Sequence, residues 1–129
     1  MSDPHGPWRV RDVTRGVVVA DRVAVASGFW GRFRGLMLRG SLAPGEGLFL
    51  ADSSIHMFFM RFAIDAVFVG AQSGTGNAER SVVAVRTGLR PWRSLVMPVR
   101  GAAGVVELAA GTLADAGVQV GDTLVFEIA

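Results

Sequence analysis

The sequence predicts a mainly β protein, a compact antiparallel sandwich or barrel with one or two short helices. Short apolar segments recur along the chain and are separated by glycine-containing turns, and only two stretches have helical features. No internal repeat, linker or shift in composition divides the chain. We therefore expect residues 1–129 to form one domain, with residues 1–7 as a mobile tail.

The N-terminal third contains two predicted strands and one predicted helix. Residues 8–11 and 17–26 are rich in β-forming side chains, with a turn at Arg15-Gly16 and a second break at Asp21-Arg22. Apolar side chains then recur at helical spacing over residues 27–38. This spacing predicts one short helix, although its glycines weaken it.

The rest of the chain alternates between short predicted strands and loops. The predicted strands are residues 48–51, 56–60, 65–69, 81–86, 105–108 and 123–128. The glycine-rich segment 70–77 joins two of them into a hairpin with a long loop. Residues 87–98 are predicted to be irregular because they contain prolines, whereas residues 111–117 indicate one helical turn between glycines.

Composition excludes several functional classes. Half of the residues are apolar, which predicts a folded core. No apolar run approaches the roughly 18 to 20 residues of a membrane helix, and the N-terminus lacks the apolar centre of a secretory signal. We therefore expect a cytoplasmic protein with no membrane partner. The absence of cysteine excludes disulfides, thiolate metal sites and cysteine nucleophiles, and we expect no cofactor.

The basic isoelectric point does not indicate a nucleic-acid-binding protein. All 13 basic residues are arginine, and the formal net charge is only +2. Without lysine, tyrosine or cysteine, no side chain titrates between the range of histidine and that of arginine. The arginines are dispersed along the sequence without a basic tract or an RNA-binding motif, so we expect no nucleic-acid partner.

The segment from His56 to Asp65 is the most unusual, because ionisable residues interrupt an almost wholly apolar run. Burying a charge without a partner is costly, so the segment predicts either a buried polar network or the floor of a pocket. In one interpretation Arg61 pairs with a carboxylate, and the candidates are Asp65, Asp52, Glu107 and Glu46. In the other, Arg61 and Arg34 hold an anionic ligand through forked hydrogen bonds.

The other candidate residues also have structural alternatives. His56 is either a general base or a hydrogen-bonded structural residue, and no metal pair with His5 is expected. Asp65 either belongs to a site or caps a turn by accepting backbone N–H groups. Glu107 either faces solvent or lies buried against an arginine, and with Asp65 it is a further acid–base candidate for a glycoside. Trp92, in an arginine-flanked loop, is either a hydrophobic lid or a stacking platform.

Three blocks of the sequence, in their order and spacing, carry a resemblance to a known family. They are Gly35-Leu36-Met37, Ile55 to Asp65, and Val105 to Asp122. Together they resemble the bacterial and archaeal domain of unknown function 192 family, over roughly residues 23–128. The resemblance implies a compact, mostly β, jelly-roll-like domain and no known substrate.

The middle block departs from the family pattern. Phe58-Phe59-Met60 stands where many members have Lys-Asn-Thr, His56 replaces a tryptophan and Ala63 replaces a proline. Only Met57 and Asp65 transfer directly in that block. If the polar residues form a site in other members, this chain has lost or remade it.

Three functional hypotheses follow. The leading one is a non-catalytic domain that binds a small polar or anionic ligand. Its site is predicted to contain no metal and to draw on His56, Arg61, Asp65, Arg34, Trp92 and Glu107. The second is a hydrolase or lyase with His56 as base and Asp65 or Glu107 as its orienting partner. The third is a protein-interaction module with an apolar surface around Trp30, Phe33 and Trp92. The sequence leaves the oligomeric state open.

Overall fold

A computed structural model of the chain describes residues 8–25, 41–51, 55–56, 61–73 and 78–128, with only the backbone at residues 55, 56 and 78. The predicted tail (1–7), the predicted helix (27–38) and most of the predicted strand 56–60 lie outside the described residues.

The described part of the chain folds into nine strands and one short helix. In chain order these are β1 (Trp8–Asp12), β2 (Val17–Val25), β3 (Glu46–Leu50), β4 (Ile55–His56), β5 (Ile64–Val69), β6 (Ala78–Leu89), β7 (Leu95–Val96), β8 (Gly104–Ala109), α1 (Thr112–Ala116) and β9 (Thr123–Ile128). Seven strands close a barrel in the order β1-β2-β3-β8-β5-β6-β9, and β4 pairs with β7 in a separate two-stranded sheet. The predicted mainly β class is confirmed, and of the two predicted architectures the chain adopts the barrel.

One pair of barrel strands departs from the predicted antiparallel arrangement. β2 and β3 are parallel, with Val23 opposite Gly47 and Val25 opposite Phe49. Parallel neighbours require a crossover of about a dozen residues or more, and residues 26–45 provide that length.

Two apolar clusters hold the barrel together, one on each face of its central strands. The inner cluster includes Val10, Val67, Leu108 and Phe126. The outer cluster covers β3, β5, β6 and β8 and includes Ile64, Phe68, Val96 and Val105. Because side chains alternate along a strand, all six residues of β5 are buried, three in each direction. Fully burying one large apolar side chain contributes roughly 1.5 to 3 kcal/mol.

Most of the local predictions are confirmed, and two are wrong. The hairpin of β5 and β6, the helical turn between Gly111 and Gly117 and the terminal strand are all present. The predicted break at Asp21-Arg22 is instead an irregularity within continuous β2. Both amides donate to the carbonyl oxygen of Gly45, at 3.1 and 2.9 Å, which compensates for the local loss of strand pairing.

The segment predicted to be irregular, residues 87–98, contains parts of two strands. β6 continues to Leu89 because that residue pairs with Ile64 of β5. Residues 95–96 form β7 because they pair with β4. Between the two strands, residues 90–94 make a tight turn around Pro91, which agrees with the irregular structure predicted there.

Gly104 allows the closest packing inside the barrel wall. A Cβ atom at this position would lie 2.5 Å from Cζ of Phe49 and 3.2 Å from the carbonyl oxygen of Leu50. The Phe49 ring cannot move freely, because it packs edge-on against Phe126 with ring centroids 5.4 Å apart and lies under the guanidinium of Arg80.

We expect Gly104→Ala to lower the free energy of unfolding by about 1–3 kcal/mol through overpacking, as measured by urea denaturation. Gly70→Ala is the matched control, because its added Cβ would meet nothing nearer than 3.7 Å. Equal losses in the two variants would contradict this account of Gly104.

Candidate functional site

A cleft of about 690 Å³ lies where the end of β6 meets β7 and the loop that follows it. The residues that line it are Arg86, Leu89, Arg93, Ser94, Leu95, Val96, Met97, Pro98, Val99 and Arg100. Of these described residues, three are cations, one carries a hydroxyl group, six are apolar and none is a carboxylate. The cleft therefore combines positive charge with apolar surface, a combination typical of small-molecule sites.

The three cleft arginines have no acidic partner within the described ranges. The ion pairs found there join other arginines to carboxylates: Arg9 and Arg11 with Glu127, Arg15 with Asp12 and Asp122, and Arg22 with Asp21. The sequence from residue 86 to residue 100 contains four arginines and no aspartate or glutamate. Unneutralised positive charge in a concave surface attracts anions.

A strained turn presents Trp92 beside the cleft. The amides of Arg93 and Ser94 donate to the carbonyl oxygen of Arg90, and the Ser94 hydroxyl accepts from the Arg90 amide at 2.7 Å. Trp92 has a φ of 66°, the only positive φ at a non-glycine residue in the described part of the chain. Such a conformation costs roughly 1–3 kcal/mol. The Trp92 side chain is 56% exposed and does not line the cleft, although Arg93 does.

The two-stranded sheet places the backbone of His56 at this site. His56 pairs with Leu95, and Ile55 pairs with Val96. Both partners line the cleft, so β4 borders it along β7. The side chain of His56 lies outside the described part of the structure. Of the residues predicted from sequence, the fold thus brings the His56 backbone and the loop of Trp92 to one place.

Asp65 has the structural role that the sequence left as an alternative. Its carboxylate is buried, and it accepts three backbone hydrogen bonds, from the amides of Gly88 at 2.9 Å and of Gly111 and Leu113 at 3.0 Å. One carboxylate thereby joins the end of β6 to the start of α1. Gly88 lies two residues after Arg86, so Asp65 supports the cleft without lining it.

Glu107 lies on the outer face of β8, opposite Leu48 of β3 and Ala66 of β5. Burial among these neighbours raises the pKa of its carboxyl to about 7. The predicted arginine partner is not found among the described side chains. Asp65 faces the opposite side of the sheet, because it pairs with Leu108 of the inner cluster. The two carboxylates therefore do not flank a shared substrate.

The remaining predicted residues are separate from this arrangement. Arg61 is exposed ahead of β5, and no ion pair of Arg61 occurs within the described ranges. Its candidate pairing with Asp65 is absent: Arg61 is exposed, whereas the Asp65 carboxylate is buried and accepts hydrogen bonds from three backbone N–H groups. Arg34, Trp30 and Phe33 lie outside the described residues.

The sequence interpretation also missed a buried acidic pair. Asp12 and Asp122 are 0% and 4% exposed, and Arg15 Nε donates to Asp122 Oδ2 at 2.6 Å. Burial, and then the hydrogen bond to Asp122, raise the pKa of Asp12, whereas the hydrogen bond from Asp12 lowers the pKa of Asp122 to about 2. The pair connects the β1–β2 turn to the turn before β9. Asp122 also accepts a hydrogen bond from the Gln119 amide.

A separation of seven residues hid the cleft arginines in the sequence. Arg86, Arg93 and Arg100 are evenly spaced, but they belong to three different local structures, so this spacing does not place them on one face of a single helix or strand. The signal available was the absence of acidic residues from residue 86 to residue 100.

In the described part of the chain, no cluster of three or more His, Asp or Glu residues is placed to bind a metal. Nor does any helix there have the length and apolar character needed to cross a membrane.

Comparison with known proteins agrees with the resemblance in the sequence. The family model described as "Uncharacterized ACR" (DUF192) matches residues 10–126. A UPF0127 protein of Thermococcus sibiricus is 34% identical over 122 residues, covering 89% of this chain and 72% of that protein. A UPF0127 protein of Pyrococcus furiosus is 36% identical over 119 residues, covering 88% and 93%. A solved protein of unknown function from Novosphingobium aromaticivorans shares the fold, with a TM-score of 0.73, 24% identity and coverage of 92% and 82%.

Proposed function

Because the chain belongs to the DUF192 family, whose description assigns no activity, we propose a function from the cleft itself: the domain binds a small anionic ligand there without transforming it. The observation that carries the proposal is the set of three arginines, Arg86, Arg93 and Arg100, around a cleft whose described lining residues include no carboxylate. Guanidinium groups bind carboxylates and phosphates through paired, charge-assisted hydrogen bonds.

The surrounding structure supports this function by positioning the arginines. Asp65 anchors the backbone two residues beyond Arg86, and the hydrogen-bonded turn at residues 90–94 holds Arg93 at the rim. Trp92, kept in a strained conformation on the same turn, lies beside the cleft and not in its lining, and in this proposal it offers a flat surface to the part of an unsaturated anion that extends beyond the cleft. His56 remains a proposed ligand contact because its backbone borders the cleft.

We expect Arg93→Gln to weaken anion binding by about 10- to 100-fold, because a hydrogen bond to a charged group contributes roughly 1.5 to 3 kcal/mol. Isothermal titration calorimetry with inorganic phosphate, citrate and benzoate measures this effect. Arg93 is exposed, so the variant is expected to fold normally, which circular dichroism checks.

Arg22→Gln is the matched control for charge. Arg22 is exposed, lies on β2 and contacts Asp21 and the Pro44 carbonyl rather than the cleft. We expect the affinity of the Arg22→Gln variant for each anion to stay within about twofold of the wild-type affinity, because solvent and salt screen this exposed charge. Equal weakening in both variants would indicate general attraction of anions to a basic protein. That result would contradict the proposal. A failure of all three anions to bind would also contradict it.

A further inference from the structure

We infer that the anion bound in this cleft is amphiphilic, with a carboxylate or similar head group joined to an alkyl or aryl portion. This inference rests on the proposed function and specifies its ligand class. Arginine alone would suit a compact anion such as phosphate. Six of the ten lining residues that the structure describes are apolar, however, and they adjoin the arginines along one short segment.

Apolar side chains on and next to β7 alternate between exposed and buried positions. Val96 is 8% exposed and packs into the outer cluster, whereas its neighbours Leu95 and Met97 are 58% and 68% exposed. Adjacent residues in extended chain point to opposite faces, so Leu95 and Met97 present their side chains on the same side. Both line the cleft, and Arg93 lies two residues before Leu95.

Leu95 and Met97 are large apolar side chains exposed beside the cleft arginines, so a ligand that covered them would gain free energy from apolar burial. Methionine is flexible and polarisable, so it adapts to chains of different shape. A compact anion would satisfy the arginines but leave Leu95 and Met97 in water. An amphiphilic anion would pair its head group with the arginines and place its apolar portion on these two residues.

The test is a titration series with sodium butyrate, hexanoate and octanoate below its micellar concentration, followed by calorimetry. For the wild type we expect affinity to rise about two- to fourfold with each added methylene, the range for partial to full burial of the group. In the double variant Leu95→Ser with Met97→Ser, this dependence on chain length is expected to disappear. Both side chains are exposed, so the double variant should fold.

Two control variants separate the apolar and charged contributions. Val18→Ser removes an apolar side chain that is 51% exposed on β2, outside the cleft lining, and should preserve the full chain-length dependence. Arg93→Gln should weaken all three carboxylates by a similar factor and leave the dependence on chain length unchanged.

The outcomes distinguish this inference from the function on which it rests. Equal, Arg93-dependent affinity for butyrate and octanoate would overturn the amphiphilic ligand and leave anion binding intact. Absence of Arg93-dependent binding for every anion, including phosphate and citrate, would overturn both. Binding to phosphatidylglycerol vesicles without binding to monomeric octanoate would also contradict the inference, since a charged membrane surface would then be the partner.

Discussion

Replacing Asp65 with alanine is expected to lower the free energy of unfolding by at least about 3 kcal/mol, since each of three amides left without an acceptor costs roughly 1–3 kcal/mol. The three donors, Gly88, Gly111 and Leu113, come from two separate segments, and the carboxylate that joins them is 1% exposed. Asp65→Asn retains one acceptor oxygen but directs an NH₂ group at an amide donor. We therefore expect a smaller but still substantial loss from the asparagine variant.

Urea denaturation measures the loss of stability, and amide hydrogen exchange shows where it originates. Exchange should accelerate at Gly88, Gly111 and Leu113 before other amides of β5 and β8 are affected. Asp115→Ala is the matched control, because this aspartate is exposed on α1 and should change stability by no more than about 0.5 kcal/mol. A loss in Asp65→Ala as small as that of the control would show that water or other groups replace the carboxylate.

Glu107→Gln is expected to stabilise the protein above pH 7 and to have little effect near pH 5. The folded pKa of about 7 exceeds the usual 4.5, so the protonated carboxyl is favoured in the folded state. The protonated Glu107 carboxyl therefore makes its full contribution to the free energy of unfolding below pH 4.5, and this contribution is lost as the pH rises through 7. The pKa difference corresponds to roughly 3 kcal/mol. Because the side chain is only partly shielded from water, we expect a gain of about 1–3 kcal/mol at pH 8.5.

Denaturation in urea at pH 5 and pH 8.5 provides the comparison. Glu127→Gln is the contrasting control, because hydrogen bonds from Arg11, and then Arg9, lower the pKa of Glu127. That group stabilises the folded state above its unfolded pKa, so its variant should lose stability at pH 8.5. If Glu107→Gln is no more stable than the wild type at pH 8.5, the ionised carboxylate must be compensated in the folded protein.

Local pattern was sufficient to predict most strands and turns. Gly16, Gly111, Gly117 and Gly121 adopt positive φ at chain reversals, where glycine is favoured at little steric cost. The prediction failed where a distant group altered the local outcome. Asp21-Arg22 stays within a strand because of a carbonyl more than 20 residues away, and β7 exists because β4 lies beside it.

The roles of individual charged residues were less predictable than the strands. Sequence identified Asp65 as unusual and offered backbone capping as one alternative. The choice depended on donors 23, 46 and 48 residues further along the chain. The opposite orientations of Asp65 and Glu107 likewise followed from strand register, because one position of shift would reverse the face of either side chain.

Periodicity, glycine placement and composition were enough to establish a mainly β chain, because those signals act over a few neighbouring residues. Closure of the barrel, the parallel pair and the gathering of Arg86, Arg93 and Arg100 at one cleft depended on the folded chain. Those features arise from contacts between segments far apart in sequence, whose energies come from burial and strand pairing. A linear pattern does not specify which segments will meet, and the candidate site forms where they do.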